Sequence, residues 1–275
     1  MRIVASARPR LVVAFDASSV SGARFARALT RSRLSTFARI ELPPGAVNPS
    51  ALGPNVQRPD AVGEALAALR RRLGSGSGAT LVLPDGVGRV LLLDTPQGTD
   101  DRAYLRFRLA ASLPYPAEEA TFDVLSLGRG RALGAAVRRS VVEEYEQAAV
   151  GAGFTQERVD LAPLIAVAGL LRRGAGVHVL LGDAALSLAA FQDARLTAFR
   201  TRRRDPGPGE ARRLLEEAER TALLGGGDGA VTFVGAGARG LVQELVAWGR
   251  PVSLGPGGES APDGAEAAWL AGALS

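Results

Sequence analysis

The chain has 275 residues, 47% of them hydrophobic, with 33 basic against 28 acidic side chains, one histidine and no cysteine. This length and apolar content suffice for a sizeable core and exclude a disordered chain. The missing cysteines exclude disulfides and thiol chemistry, and one histidine excludes a His-pair zinc site.

Every basic residue is arginine, scattered among alanine, glycine and leucine, and only 5% of residues are aromatic. The net charge of +5 therefore does not read as a nucleic-acid footprint, which gathers cations on one face with aromatics between them. No window approaches the length of a membrane-spanning helix, and the first apolar run stops at Asp16, so neither a span nor a signal segment is expected.

Residues 11–15 (LVVAF) form an uninterrupted apolar run, predicted as a buried strand and closed by Asp16 and the small turn Ala17-Ser18-Ser19. By itself this turn reads as an Asx or Ser turn. Strands over 21–29 and 34–42 follow and stop at Pro43-Pro44-Gly45, completing a three-strand meander. After a loop at 45–59, Asp60 is expected to N-cap a helix with Val62, Leu66 and Leu69 on one face. Arg70-Arg71-Arg72 close it, where cations complement the dipole. A Gly/Ser link at 74–78 leads to strands at 80–83 and 89–93. A helix at 101–113 then ends at Pro114-Tyr115-Pro116, with Arg106 and Arg108 as solvated positions around one buried ring, Phe107. Hairpin strands at 121–127 and 132–137 flank Gly128-Arg129-Gly130. Ser140 is expected to N-cap the next helix, with Glu143 completing a capping box. A short strand around Val159 and an apolar helix at 163–171 follow.

Residues 177–200 repeat the meander: an apolar strand holding His178, the turn Gly182-Asp183-Ala184, and two more strands. His178 reads as a packed strand residue. Arg202-Arg203-Arg204 and the run Asp205-Pro206-Gly207-Pro208-Gly209 read as loop. The helix at 210–224 carries Glu216, Glu217, Glu219 and Arg220 on a wet face. A strand at 231–234, the turn Gly235-Ala236-Gly237, a helix at 239–248, a strand at 251–254 and a helix at 265–274 complete the chain. Strands and helices alternate throughout, so the class is α/β, and the repeated meander implies a duplicated fold.

The order and spacing of several strings resemble the PilM family of type IV pilus assembly proteins and, more distantly, the cytoplasmic actin-like domain of the type II secretion protein GspL. The strings are Phe15-Asp16-Ala17-Ser18-Ser19, Leu42-Pro43-Pro44-Gly45, and Leu113-Pro114-Tyr115-Pro116 with the acidic pair Glu118-Glu119. Phe122-Asp123, Ala152-Gly153-Phe154 and Val159-Asp160 follow. The resemblance covers nearly the whole chain. It implies an actin-like, ribonuclease H-like duplicated fold with halves at 1–172 and 173–275. The first half carries an inserted small α/β subdomain at about 88–137, and the second has a reduced helical subdomain at 201–230.

The resemblance also places the nucleotide turns. Asp16, Ser18 and Ser19 fall in the first phosphate turn, Gly182 in the second, and Gly235 and Gly237 in the adenosine turn. Departures weaken that site: Ser18 stands where the family has Gly, Arg24 is the nearest stand-in for its Lys, and Leu180 replaces the acid of the second turn. Ala236 adds a methyl where backbone should approach the ligand. The implied protein is a non-enzymatic, cytoplasmic scaffold, peripheral to the inner membrane, with ATP and magnesium binding weak or lost and no catalytic or metal residue. Its implied partners are the cytoplasmic N-terminal tail of a bitopic PilN-like inner-membrane protein, the assembly ATPase and further copies of the chain. The partner groove would involve the first meander and residues 89–137. Two alternatives stand beside this: an ATP-binding member in which Asp16, Ser18 and Ser19 suffice, and a sugar-kinase-like enzyme with Asp160 as its catalytic acid residue.

Overall fold

The computed structural model describes residues 10–27, 32–74, 76, 78–96, 101–171, 174–226, 229–255 and 269–270. The first part of the chain runs β1 (Leu11–Phe15), β2 (Ser19–Arg27), β3 (Ser32–Glu41), α1 (Pro59–Leu73), β4 (Gly78–Leu83), β5 (Gly88–Asp94), α2 (Asp101–Ala110), β6 (Ala120–Gly128), β7 (Arg131–Arg138), α3 (Arg139–Gly151) and β8 (Thr155–Leu161). It continues with α4 (Ala162–Leu170), β9 (Gly176–Leu181), β10 (Ala185–Gln192), β11 (Arg195–Arg203), α5 (Glu210–Gly225), β12 (Val231–Gly235), α6 (Ala238–Ala247) and β13 (Val252–Leu254). Two compact units result: Met1–Gly22 with Ile40–Leu161, and Ala23–Arg39 with Ala162–Ser275.

The expected duplication is present. One sheet is ordered β3-β2-β1-β4-β8 and the other β11-β10-β9-β12-β13, so each has its first strand at the centre and its later strands on one side. In both, the later strands join in parallel: β1 with β4 and β4 with β8, then β9 with β12 and β12 with β13. A strand flanked on both sides and covered on both faces is predominantly apolar. That is why β1 and β9 are buried along their whole length and read as continuous runs. In the second unit Val177, Val179 and Leu181 pack with Leu188, with Leu214 and Ala218 of α5, and with Leu241 and Leu245 of α6.

The insertion is a three-stranded antiparallel sheet, β5-β7-β6, carrying α2. Helix α2 buries Leu105 and Leu109, one turn apart, against Gly134 of β7. A Cβ at Gly134 would lie 2.9 Å from Leu109 Cδ1 and 3.0 Å from Leu105 Cδ2, so glycine is what admits the helix.

Four local expectations need correction. Phe107 is not a buried ring: it is 74% exposed, because Leu105 and Leu109 supply the buried stripe and Phe107 falls opposite them. Helix α1 starts at Pro59, not beyond Asp60, since the fixed φ of proline suits the first helical position; no side chain caps it. Helix α3 starts at Arg139, which leaves Ser140 inside the first turn, exposed and not a cap. The preceding Arg138 is extended and held by Glu119 (2.7 Å) and the Leu52 carbonyl (2.7 Å). Arg202 and Arg203 complete β11 instead of lying in a loop. The helix expected at 265–274 lies outside the described residues apart from Trp269 and Leu270, both buried.

Candidate functional site

The turn expected to face phosphate, Asp16-Ala17-Ser18-Ser19, lies between β1 and β2. The Asp16 N–H donates to the Ser19 carbonyl at 2.9 Å, and the Asp16 carboxylate accepts the Ala17 N–H at 2.9 Å. The Ser18 carbonyl accepts the Leu42 N–H at 2.7 Å, and Ser19 is buried at the start of β2. Asp16, Ser18 and Ser19 are thus brought together as expected, but two of the turn's N–H groups are spent within it. A turn that has paired its own donors has fewer left for an anion.

Beside this turn the structure builds a network that the sequence reading missed. Tyr145 of α3 is fully buried edge-on to Phe15, with ring centroids 4.9 Å apart, and its hydroxyl donates to Asn55 Oδ1 at 3.2 Å. Burial raises the Tyr145 pKa, helped by the Glu144 and Asp16 carboxylates. Asn55 in turn closes its own loop: its side-chain amide donates to the Ser50 and Gly53 carbonyls at 3.0 and 2.9 Å and accepts the Ser50 N–H at 2.8 Å. Glu144 accepts the Asn55 and Val56 N–H groups at 2.5 and 3.1 Å. The Pro/Gly loop after β3 is therefore a fixed element.

In the second unit the structure brings Gly182, Gly235 and Gly237 together, around a side chain that sequence reasoning assigned to a loop. Arg204 donates from Nη1 to the Gly182 carbonyl and to the Ala236 carbonyl, both at 2.8 Å, and its Nε donates to Glu210 Oε1 at 2.6 Å. Both partners of that ion pair are buried, at 9% and 12% side-chain exposure. The Gly182 N–H donates to the Ala185 carbonyl (3.0 Å) and the Ala236 N–H to the Leu181 carbonyl (3.1 Å). At these positions the turns offer carbonyls to an internal cation and have committed their donors. A phosphate site needs the reverse. Gly235 is obligatory: its φ is +111°, and a Cβ there would approach the Leu181 carbonyl oxygen to 2.2 Å. Leu180 lies buried in β9, so no acid stands at that point.

The remaining candidates are packed residues. Asp160 is 3% exposed and paired with Arg158 (Nε to Oδ2, 2.6 Å; Nη2 to Oδ1, 2.9 Å). Burial pushes its pKa up to about 6 despite Arg158, with Asp123 adding to the rise. His178 sits inside β9 as read, edge-on to Phe191 at 5.6 Å, and burial pushes its pKa down with the Ala175 backbone opposing. Glu217, expected on a wet face, is half-buried instead and gathers Arg200 (3.0 Å), Arg220 (2.8 Å) and Arg202 (3.6 Å).

No known family model matches the chain, and no curated protein does. Solved structures do. A structure described as the PilM-PilN type IV pilus biogenesis complex matches at TM-score 0.75 and 15% identity, covering 98% of this chain and 97% of that one. The cytoplasmic domain of EpsL, an inner-membrane component of the Vibrio cholerae type II secretion system, matches at TM-score 0.53 and 14% identity, covering 86% and 94%. A Bacteroides thetaiotaomicron protein with an actin-like ATPase fold matches at 0.60 and 8% identity, covering 97% and 95%. The fold is therefore actin-like. Within that fold the chain is similar to a chain of the PilM-PilN complex structure and to the EpsL cytoplasmic domain.

Proposed function

We propose that this chain is a cytoplasmic, actin-like scaffold of a type IV pilus or type II secretion platform, not an enzyme. It sits against the inner membrane and docks the cytoplasmic tail of a bitopic, PilN-like membrane protein in a groove that involves the first meander and residues 89–137. The observation that carries the reading is the end-to-end likeness to the PilM-PilN complex, which includes the insertion. No helix among the described residues is long and apolar enough to cross a membrane, so membrane association would run through a partner or a surface. A nucleotide switch is weak or lost. Arg204 occupies the space between the second phosphate turn and the adenosine turn, and the donors of Asp16, Ala17, Gly182 and Ala236 are already paired. Asp160 is engaged by Arg158 and is not held ready to take a substrate proton.

Calorimetry separates the two parts of the proposal. A synthetic cytoplasmic tail of a PilN-like protein is expected to bind saturably, and Mg-ATP to give no saturable heat up to about 1 mM. Failure of the tail to bind refutes the scaffold. Micromolar Mg-ATP binding refutes the lost switch and leaves the scaffold standing.

A further inference from the structure

We propose that the outward face of α2 is a peripheral contact for an anionic lipid bilayer. This goes beyond tail docking and does not depend on it. Packing of Leu105 and Leu109 onto Gly134 fixes which side of the three-stranded sheet the helix covers. Gly134 pairs with Leu91 and with Val124, and two residues further along Ala136 pairs with Arg89 and with Phe122. Arg89 and Phe122 therefore share the covered face of the sheet.

That face is basic and aromatic. Arg106 lies over the Phe122 ring, 5.4 Å from its centroid, and Arg108 lies over Tyr104 at 5.8 Å while donating to its hydroxyl at 3.0 Å. Arg106, Arg108 and Arg89 are all exposed, and Phe107 stands between Arg106 and Arg108 at 74% exposure. Apart from Asp101 at its first position, α2 carries no acid in its sequence, and neither do the strand positions on this face. Asp94 belongs to the other face, where it pairs with Arg131 at 3.0 Å, and Asp123 is buried. Stacking on aromatic rings holds these two guanidiniums in place.

The occupant follows from charge and shape. A helix lying on a sheet is convex and offers no slot in which to read a peptide's side chains. A bilayer needs none: arginines meet headgroup phosphates, and a bare ring enters the interfacial region.

Sedimentation of the full chain with vesicles tests this. With phosphatidylcholine plus about 30% phosphatidylglycerol the chain should pellet at about 0.1 M NaCl, bind at least tenfold more weakly at about 0.5 M, and leave pure phosphatidylcholine unbound. Arg106→Ala and Phe107→Ser are both at exposed positions, and unchanged melting temperatures will show that they fold. Each should weaken vesicle binding about fivefold, whereas Arg212→Ala in α5 should not. No binding to the anionic vesicles, equal binding to both vesicles, or variants that bind like the parent would each overturn the proposal. Binding to polyglutamate without vesicle binding would also overturn it, and would assign the face to an acidic protein segment.

Discussion

Replacing Arg204 with alanine tests how the second unit is held together. The change removes two donations to part-buried carbonyls and strands Glu210, whose side chain is only 12% exposed, without its cation. Breaking a buried ion pair by deleting one partner costs about 3–5 kcal/mol, and orphaned carbonyls fall within the same loss and do not add fully to it, so about 4 kcal/mol is expected. The double variant Arg204→Met/Glu210→Gln should recover at least about half of this, because no uncompensated charge stays buried. Both tryptophans, Trp248 and Trp269, belong to the second unit, so their fluorescence during urea unfolding follows that unit alone. A single-variant loss under about 1 kcal/mol, or a double variant no better than the single, would refute the description of Arg204 as a clasp.

Three further outcomes are expected. Asn55→Ala should destabilise the first unit by about 3 kcal/mol, since it leaves Tyr145 and the Ser50 and Gly53 carbonyls without partners; hydrogen exchange should show the loop at 46–57 opening first. His178 is held neutral, so the unfolded chain takes up its proton first: stability is full above about pH 6.5 and falls on acidification below it, and His178→Phe should remove that part of the slope in urea titrations. Asp160 acts in the opposite sense. With its pKa near 6 the folded state binds the proton first, so between about pH 6 and 4 the parent should gain stability relative to Asp160→Asn as pH falls; a flat difference would refute the assignment.

The meanders were legible because turn chemistry and buried-strand runs are local. Asp16 closing an apolar pentapeptide, and its echo at Gly182, mark the two sheet centres without any long-range knowledge. The same locality brought Asp16, Ser18 and Ser19 into one turn in the sequence reading. What stayed hidden depends on partners far along the chain. Arg204 looks like the last of three solvated arginines until the fold brings the Gly182 and Ala236 carbonyls to it. Asn55 is one loop asparagine until α3 delivers Glu144 and Tyr145. Phe107 was misread from its hydrophobicity, although the spacing of Leu105 and Leu109 was there to show which stripe is buried. Ser140 has the residue type of a cap, whereas Arg138 and its tertiary partners set where α3 begins.

The most direct measurement of the central claim is the affinity of the fluorescently labelled PilN-like tail for the full chain, by anisotropy, with and without Mg-ATP. A scaffold whose nucleotide turns are tied by Arg204 should bind the tail with a dissociation constant of about 10 μM or tighter, unchanged within about twofold by Mg-ATP. No binding at about 1 mM would contradict the scaffold, and a tail affinity that moves about tenfold with Mg-ATP would contradict the loss of the switch.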